Sequence, residues 1–383
     1  QRLSAEPVAG FSEAAHDREP GAFGEHLTPP ADHIGHDRAV ASLRTEITEI
    51  VTGLGTLGAA EPEQAMATAE PPPELAGVGS EHWDRLRSAW SERSHEGEFL
   101  AAFNNGRAFL RARDGLRGRH PVIVEWKGGH RDPADDAVPA DLRIDHVYLV
   151  SCKYASRVLH NASPWSLFDR CLAGAPARGA GDWYAEVAPA EHQAHYQAVR
   201  RLMDAGDRFP ERVGDLDREQ RRAMATARDR TSLESAAAYA ELAAVVSERS
   251  ANRWEDRLAS SSERRSMLWR LLRLSATPYF VLGTGRSESL RLRVATPWDW
   301  AQRWELAEFT VTPELAGQPR IAWKAVVEPR RQRTEPEPSA APPVEVSGHV
   351  EIRWSHGRLG GSPEAKVYLD TPHREVPGYI ELT

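Results

Sequence analysis

The sequence predicts an α/β chain, α+β overall, with a core in the order helix, strand, strand, strand, helix, followed by a helical segment and a β-rich C-terminal domain. Three observations predict it. Between residues 97 and 162 one apolar helical repeat is followed by short β-branched runs. Residues 183–275 are rich in Ala, Glu and Arg at helical spacing. From Pro278 onward the chain turns to alternating apolar and polar runs.

Residues 1–36 are polar and aperiodic and read as an arm. Val40, Leu43, Ile47, Ile50, Val51 and Leu54 mark an amphipathic helix over 37–58 that ends at Gly53 or Gly55. Residues 59–78, with Pro71-Pro72-Pro73, read as a linker. Trp83, Leu86 and Trp90 predict a short helix, and Phe99, Leu100, Phe103, Phe109 and Leu110 a longer one over 97–113. Strands are expected at 121–126, 141–144 and 147–152. Ser163-Pro164 starts a helix, with a serine cap and proline at the first helical position. Met267–Leu272 closes the helical segment. The C-terminal strands are expected at Tyr279–Leu282, Leu290–Val294, Phe309–Val311, Ile321–Val327, Val344–Trp354 and Ala365–Leu369, with 328–343 a loop between two of them. The domain organisation read from this is 1–78, 79–178, 179–277 and 278–383.

A chain of 383 residues has ample length for a buried core. Its net charge of −8 and pI near 6.0 do not favour a polyanion, so any nucleic-acid site is expected to be a local arginine-rich groove. Two cysteines, Cys152 and Cys171, make neither a disulfide framework nor a structural zinc site, which points to a reducing cytoplasm. Cys152 sits in a strand pattern as a small buried apolar residue. No run has the length of a membrane helix, and no secretion signal opens the sequence. Asn161-Ala162-Ser163 is therefore read as a chance sequon. GxxxxGK[ST], GxSxG and GxGxxG are absent, which leaves nucleotide-fuelled and α/β-hydrolase chemistry without support.

Only four of the 48 basic residues are lysine: Lys127, Lys153, Lys324 and Lys366. A compact ammonium does work that an arginine fork cannot, so the surviving lysines are worth attention. Two of them end apolar runs, Val-Ile-Val-Glu-Trp-Lys (122–127) and Val-Tyr-Leu-Val-Ser-Cys-Lys (147–153). Pro139-Ala-Asp141 enters the strand before Lys153. Strand alternation puts Ser151 and Lys153 on one face. A turn of odd length near Asp145-His146 brings Asp141 to that face, and a two-residue turn takes it to the other. Asp145 is the poorer partner, because a continuous strand would carry it about 26 Å from Lys153. A second alignment is Asp114, ten residues, then Glu125-Trp-Lys127.

With Pro139-Ala-Asp141 and Ser151-Cys-Lys153 the stretch 95–175 resembles the PD-(D/E)XK nuclease superfamily. That resemblance implies a restriction-endonuclease-like αβββαβ core, Mg2+ (or Mn2+), and endonucleolytic cleavage of DNA in restriction or defence. Asp141, Lys153 and Glu125 would be catalytic. Ser151 stands where the family has its metal-binding carboxylate, so the second acid must come from elsewhere. Glu125 is the first choice, Asp169 on the following helix the second, and Glu98, matching a helix-borne glutamate of some members, the third. The alternative is a non-catalytic nuclease-like scaffold that binds nucleic acid, a protein partner or a second copy of itself.

Outside this cluster, Arg353, Trp354, Arg358 and Arg374 pair arginine forks with an aromatic platform and are candidate nucleic-acid contacts. The histidines at 120, 130, 146 and 160 form no paired metal-ligand pattern and are read as structural, while those at 349, 356 and 373 lie with the arginine and tryptophan cluster of the C-terminal part.

Overall fold

The computed structural model describes residues 43–128, 138, 140–154, 157–174, 181–203, 208–226, 232–284, 289–330, 342–355 and 357–383. The expected arm at 1–36, His130, His356 and most of the 328–343 loop lie outside the described residues. The chain is mixed α/β, and Val40–Thr383 form one compact unit.

The first helical segment runs through α1 (Leu43–Glu46), a π-wound turn (Ile47–Val51) and α2 (Thr52–Thr56). The stretch expected as a linker instead holds α3 (Pro62–Met66) and a two-residue strand, β1 (Leu75–Ala76). Leu75 is buried and β1 pairs in parallel with the strand at Val124, so this apolar side chain draws the proline-rich stretch into a sheet. Helices α4 (Ser80–Ser91) and α5 (Glu96–Arg111) follow. Helix α5 meets α2 backbone to backbone. A Cβ on Gly106 would lie 2.0 Å from the Thr52 carbonyl oxygen, and one on Gly55 2.2 Å from that of Phe103.

Then come β2 (Val124–Trp126), β3 (Leu142–Ile144), β4 (Tyr148–Tyr154) and β5 (Val158–Ala162), followed by a π-wound turn at Trp165–Asp169. The Ser163 hydroxyl caps that turn by accepting from the Ser166 N–H at 3.1 Å. The helical stretch holds α6 (Trp183–Val187), α7 (Pro189–Leu202), α8 (Arg218–Thr226), α9 (Leu233–Arg257) and α10 (Ser261–Leu271). The remainder is β6 (Tyr279–Thr284), β7 (Ser289–Val294), α11 (Pro297–Arg303), β8 (Trp304–Leu315), β9 (Pro319–Pro329), β10 (Val344–Arg353), β11 (Glu364–Leu369) and β12 (Tyr379–Glu381).

Two sheets result. The first is seven-stranded in the order β1-β2-β3-β4-β6-β7-β12, and the second is five-stranded in the order β5-β11-β10-β9-β8. In the first, β2, β3 and β4 form an antiparallel meander and β6 lies parallel to β4. The strands cross the boundaries expected from composition. β5 leaves the 79–178 segment for the second sheet, and β6, β7 and β12 come back from the C-terminal segment to complete the first.

Strand alternation divides the core in two. Val124, Trp126, Leu142, Ile144, Val150, Cys152, Phe280 and Leu282 pack toward Ile47, Leu54, Trp83, Phe99 and Phe103 on one side. Tyr279, Val281, Leu292 and Val294 pack on the other, with α9, α10 and the inner face of the second sheet. Asn105, buried on α5, donates to the Gly283 carbonyl at 2.9 Å and accepts from Arg291 Nε at 3.0 Å. It thereby ties the helix to β6 and β7.

The β3–β4 turn is Asp145-His146-Val147, three residues, with Ile144 opposite Tyr148. Asp145 and His146 both have positive φ, 49° and 58°. Aspartate and histidine are among the non-glycine residues that tolerate this region best. Asp145 Oδ1 accepts the N–H groups of Val122 (2.7 Å) and Ile123 (3.1 Å), which ties the turn to the approach of β2. Replacing Asp145 by alanine loses both bonds and the tolerance of positive φ. The expected result is a loss of about 1–2 kcal/mol in urea unfolding, with Asp145→Asn closer to wild type.

Candidate functional site

The three-residue turn is odd, so Asp141 and Ser151 fall opposite each other on the same face of the meander. That face carries Glu125 and Lys127 on and just after β2, Asp141 and Arg143 at β3, and Ser151 and Lys153 on β4. It is the side opposite the buried row Val124, Trp126, Leu142, Ile144, Val150 and Cys152. The Glu125 and Lys127 of the second alignment therefore share this surface with Asp141, whereas Asp114 lies in the turn after α5, outside the sheet. Glu125-X-Lys127 and Ser151-X-Lys153 flank the strand that Asp141 leads.

Asp141 is 8% exposed. Its Oδ2 accepts the backbone N–H of Cys152 at 2.7 Å and the Ser151 hydroxyl at 3.3 Å. Its carbonyl oxygen accepts the Lys127 N–H at 2.9 Å. Ser151, fully buried, thus turns its hydroxyl to Asp141. Lys153 and Ser151 line a small cavity with Arg273, Tyr279, His373 and Tyr379, so the C-terminal segment closes over this end of β4.

Glu125 lies opposite Arg143, one step along the ladder from Asp141. Arg143 clasps it with Nε and Nη2, each at 2.6 Å, and His146 Nδ1 lies 2.9 Å away. The Arg143 hydrogen bonds come first in holding the Glu125 carboxyl below its usual range; burial opposes them, and the charges of Arg143, Lys127 and His146 assist.

The other two acids lie elsewhere. Glu98, in the first turn of α5, receives the Tyr154 hydroxyl at 3.2 Å and approaches His95 Nδ1 at 3.3 Å and Arg44 Nε at 3.6 Å. Burial disfavours its charge, but its own backbone amide, His95 and Tyr154 outweigh this and lower its pKa. Tyr154 alternates to the α5 side of the sheet, the side opposite Asp141. Asp169 accepts two bonds of 2.8 Å from Arg253 and one of 3.3 Å from Arg257, both on α9. Arg253 also stacks over Trp165 and Trp183, so Asp169 anchors its turn to α9. Among the described residues no group of three or more His, Cys, Asp or Glu gathers as a metal cluster.

The four nucleic-acid candidates do not form one patch. Arg353 approaches Glu351 at 3.6 Å and pairs across the ladder with Glu364. Trp354 packs inward against Tyr184 (4.5 Å between ring centres), His192 and His195 (both 6.1 Å) and Tyr239. Arg358 lies 4.1 Å above the Tyr239 ring. Arg374 bonds Glu381 at 2.6 Å and lines a separate cleft beside α11.

The sequence reading did not single out Arg143, His146, Arg273 or the α11 cleft. For Arg143 the signal was present, since a strand that places Asp141 inward also places residue 143 on that face. No family model, no characterised protein and no solved structure matches this chain. Among the described residues no helix is long and apolar enough to cross a membrane. Cys152 is buried, Cys171 partly so, and both are free thiols.

Three histidines link stability to pH. Burial, then the charges of Arg273 and other cations, lowers His160 to about 3. Burial likewise lowers His192 and His195 to about 4. These folded-state values lie below the unfolded value near 6.5, so the neutral rings contribute stability above that pH. Stability is lost as pH falls from about 6.5 toward 4 and 3, because only the unfolded chain takes up the protons. Each site should contribute a slope of up to about 1.4 kcal/mol per pH unit within that window. Urea unfolding at pH 7, 5.5 and 4.5 should show the decline, and His192→Gln should flatten it.

Proposed function

We propose that this chain is a metal-dependent DNA endonuclease with a PD-(D/E)XK-like core, working through the face that bears Asp141, Ser151 and Lys153. One observation carries the reading: Asp141 and both X-X-Lys elements share one face of a meander whose last strand lies parallel to β6. Helix α5 before the meander and the long crossover through 155–278 to β6 support the same αβββαβ order, with β5 and α6–α10 as elaborations of the crossover.

Magnesium is commonly bound by one or two carboxylates, with waters and substrate phosphate completing its shell. Asp141 and Glu125, on neighbouring strands and one face, fit such an ion, and manganese equally, once Arg143 releases Glu125. When bound, the ion supplies an activated water and charge neutralisation at phosphorus. Asp141 is held in place by the Cys152 N–H and the Ser151 hydroxyl, which fix the direction of its carboxylate. Lys153 presents a compact ammonium to the phosphate oxygens and to the attacking water. Arg143, released from Glu125, has a fork suited to an adjacent phosphate. The water oxygen forms the new bond to phosphorus, and the sugar oxygen leaves with a proton.

A second reading has its own observation. Glu125 is taken up by Arg143 and His146, and Ser151 occupies the place of the missing acid. On this reading the core is a nuclease-like scaffold that binds DNA or a protein without cleaving.

Supercoiled plasmid with magnesium or manganese separates the two. The endonuclease reading expects nicking by wild type and its loss, by 100-fold or more as an order of magnitude, in Asp141→Ala, Lys153→Ala and Lys153→Arg, with folding retained. Cleavage by Lys153→Ala at the wild-type rate sinks the assignment, and a wild type without nicking in either metal favours the scaffold.

A further inference from the structure

Helix α11 begins at Thr296-Pro297, where the Thr296 hydroxyl accepts the Asp299 N–H at 3.1 Å and the Asp299 carboxylate turns back to Thr296. Two tryptophans on this helix have opposite fates. Trp300 is buried and donates from Nε1 to the Pro377 carbonyl at 3.1 Å. Trp298 is 70% exposed. It borders a cleft of about 450 Å³ lined also by Arg293, Arg303, Trp304, Arg374 and Tyr379. Arg293 Nε is buried there without a hydrogen-bond partner, and Arg303 is exposed. Asp299 and Glu375 also line the cleft, but Asp299 is occupied in the cap. Tyr379 is among the residues that line both this cleft and the cavity at Ser151 and Lys153, so the two are neighbours through it.

We infer that the Trp298 cleft binds a nucleotide of an unpaired DNA strand, stacking its base on the exposed indole and holding its flanking phosphates with Arg303 and Arg293. This rests on the nuclease reading for the identity of the strand and adds to it a site for a nucleotide beside the scissile phosphate. An exposed aromatic face accepts any base, and guanidinium forks match phosphate oxygens. The volume is that of a small-ligand site. Arg374 is paired with Glu381, and Asp299 and Glu375 offset part of the remaining charge, so the exposed indole beside Arg303 and the unpartnered Arg293 Nε are what favour an anionic strand over a basic peptide.

The test is fluorescence polarisation of the full chain with a labelled oligothymidine of about 15 nucleotides and with an abasic strand of equal length. Base stacking is lost in Trp298→Ala, so oligothymidine binding should weaken about 5- to 150-fold, while Trp298→Phe stays within about threefold of wild type. Arg303→Ala should weaken both strands and reduce the salt dependence. The abasic strand should bind wild type and Trp298→Ala equally, which also excludes misfolding as the cause. Oligothymidine binding by Trp298→Ala at wild-type strength, an equal loss for the abasic strand, no oligothymidine binding by wild type, or equal Trp298-dependent binding of an acidic peptide each overturns the inference. Lys153→Ala separates the two ideas, since it should remove nicking but keep the Trp298 dependence. Trp298-dependent binding without nicking in wild type would leave the cleft standing and remove the nuclease.

Discussion

The register of the β3–β4 hairpin is the constraint on which the candidate chemistry depends. Strand side chains alternate, so a one-residue slip would send Asp141 into the core beneath α5 and bring Leu142 to the face that now holds Ser151. The slip is opposed twice. Leu142, Ile144 and Val150 are wholly buried on the α5 side, and the Asp145-His146 turn is held by the Val122 and Ile123 N–H groups, just ahead of β2, which donate to Asp145. Turn and core thus specify the same register, and the polar row on the opposite face follows from it.

The Ser151 and Lys153 end of that polar row lies under cover. Lys153 and Ser151 meet Tyr279, Tyr379 and His373, which arrive from more than a hundred residues away in sequence. The burial that shapes the site also explains the neutral state of His160, whose Nε2 lies 2.6 Å from the Arg270 carbonyl. Glu125 and Arg143 form the adjustable part of the site. Two hydrogen bonds of 2.6 Å join them, so a ligand that takes either partner must compensate the other. A metal for the carboxylate together with a phosphate for the guanidinium does so at once, which ties the two halves of the proposed chemistry together.

Much of the local structure was legible in the sequence. Helical spacing located α5, and the apolar runs located β2, β3, β4, β6, β7, β10 and β11 within a few residues. The Ser163-Pro164 signal marked a real cap, although only one π-wound turn follows it. Two misreadings share a cause. β1 and β5 are only two and five residues long, too short to show a period, so their strand character comes from tertiary pairing with β2 and β11. Helix α11 was missed although Thr296-Pro297 repeats the Ser163-Pro164 signal. At the site, alternation gave the shared face of Ser151 and Lys153 from sequence alone. Turn length decided where Asp141 falls, and no local pattern fixes that. Trp354 looked like a stacking platform because its neighbours are arginines. Its ring lies instead among Tyr184, His192 and His195, residues far from it in sequence.

The central claim is that Asp141 and Glu125 act together from one face. Calorimetric titration of manganese and magnesium into wild type, Asp141→Ala and Glu125→Ala tests it most directly. The account predicts saturable binding by wild type that each substitution weakens by about tenfold or more. Wild-type protein that binds neither ion, or binding that survives both substitutions unchanged, would contradict it.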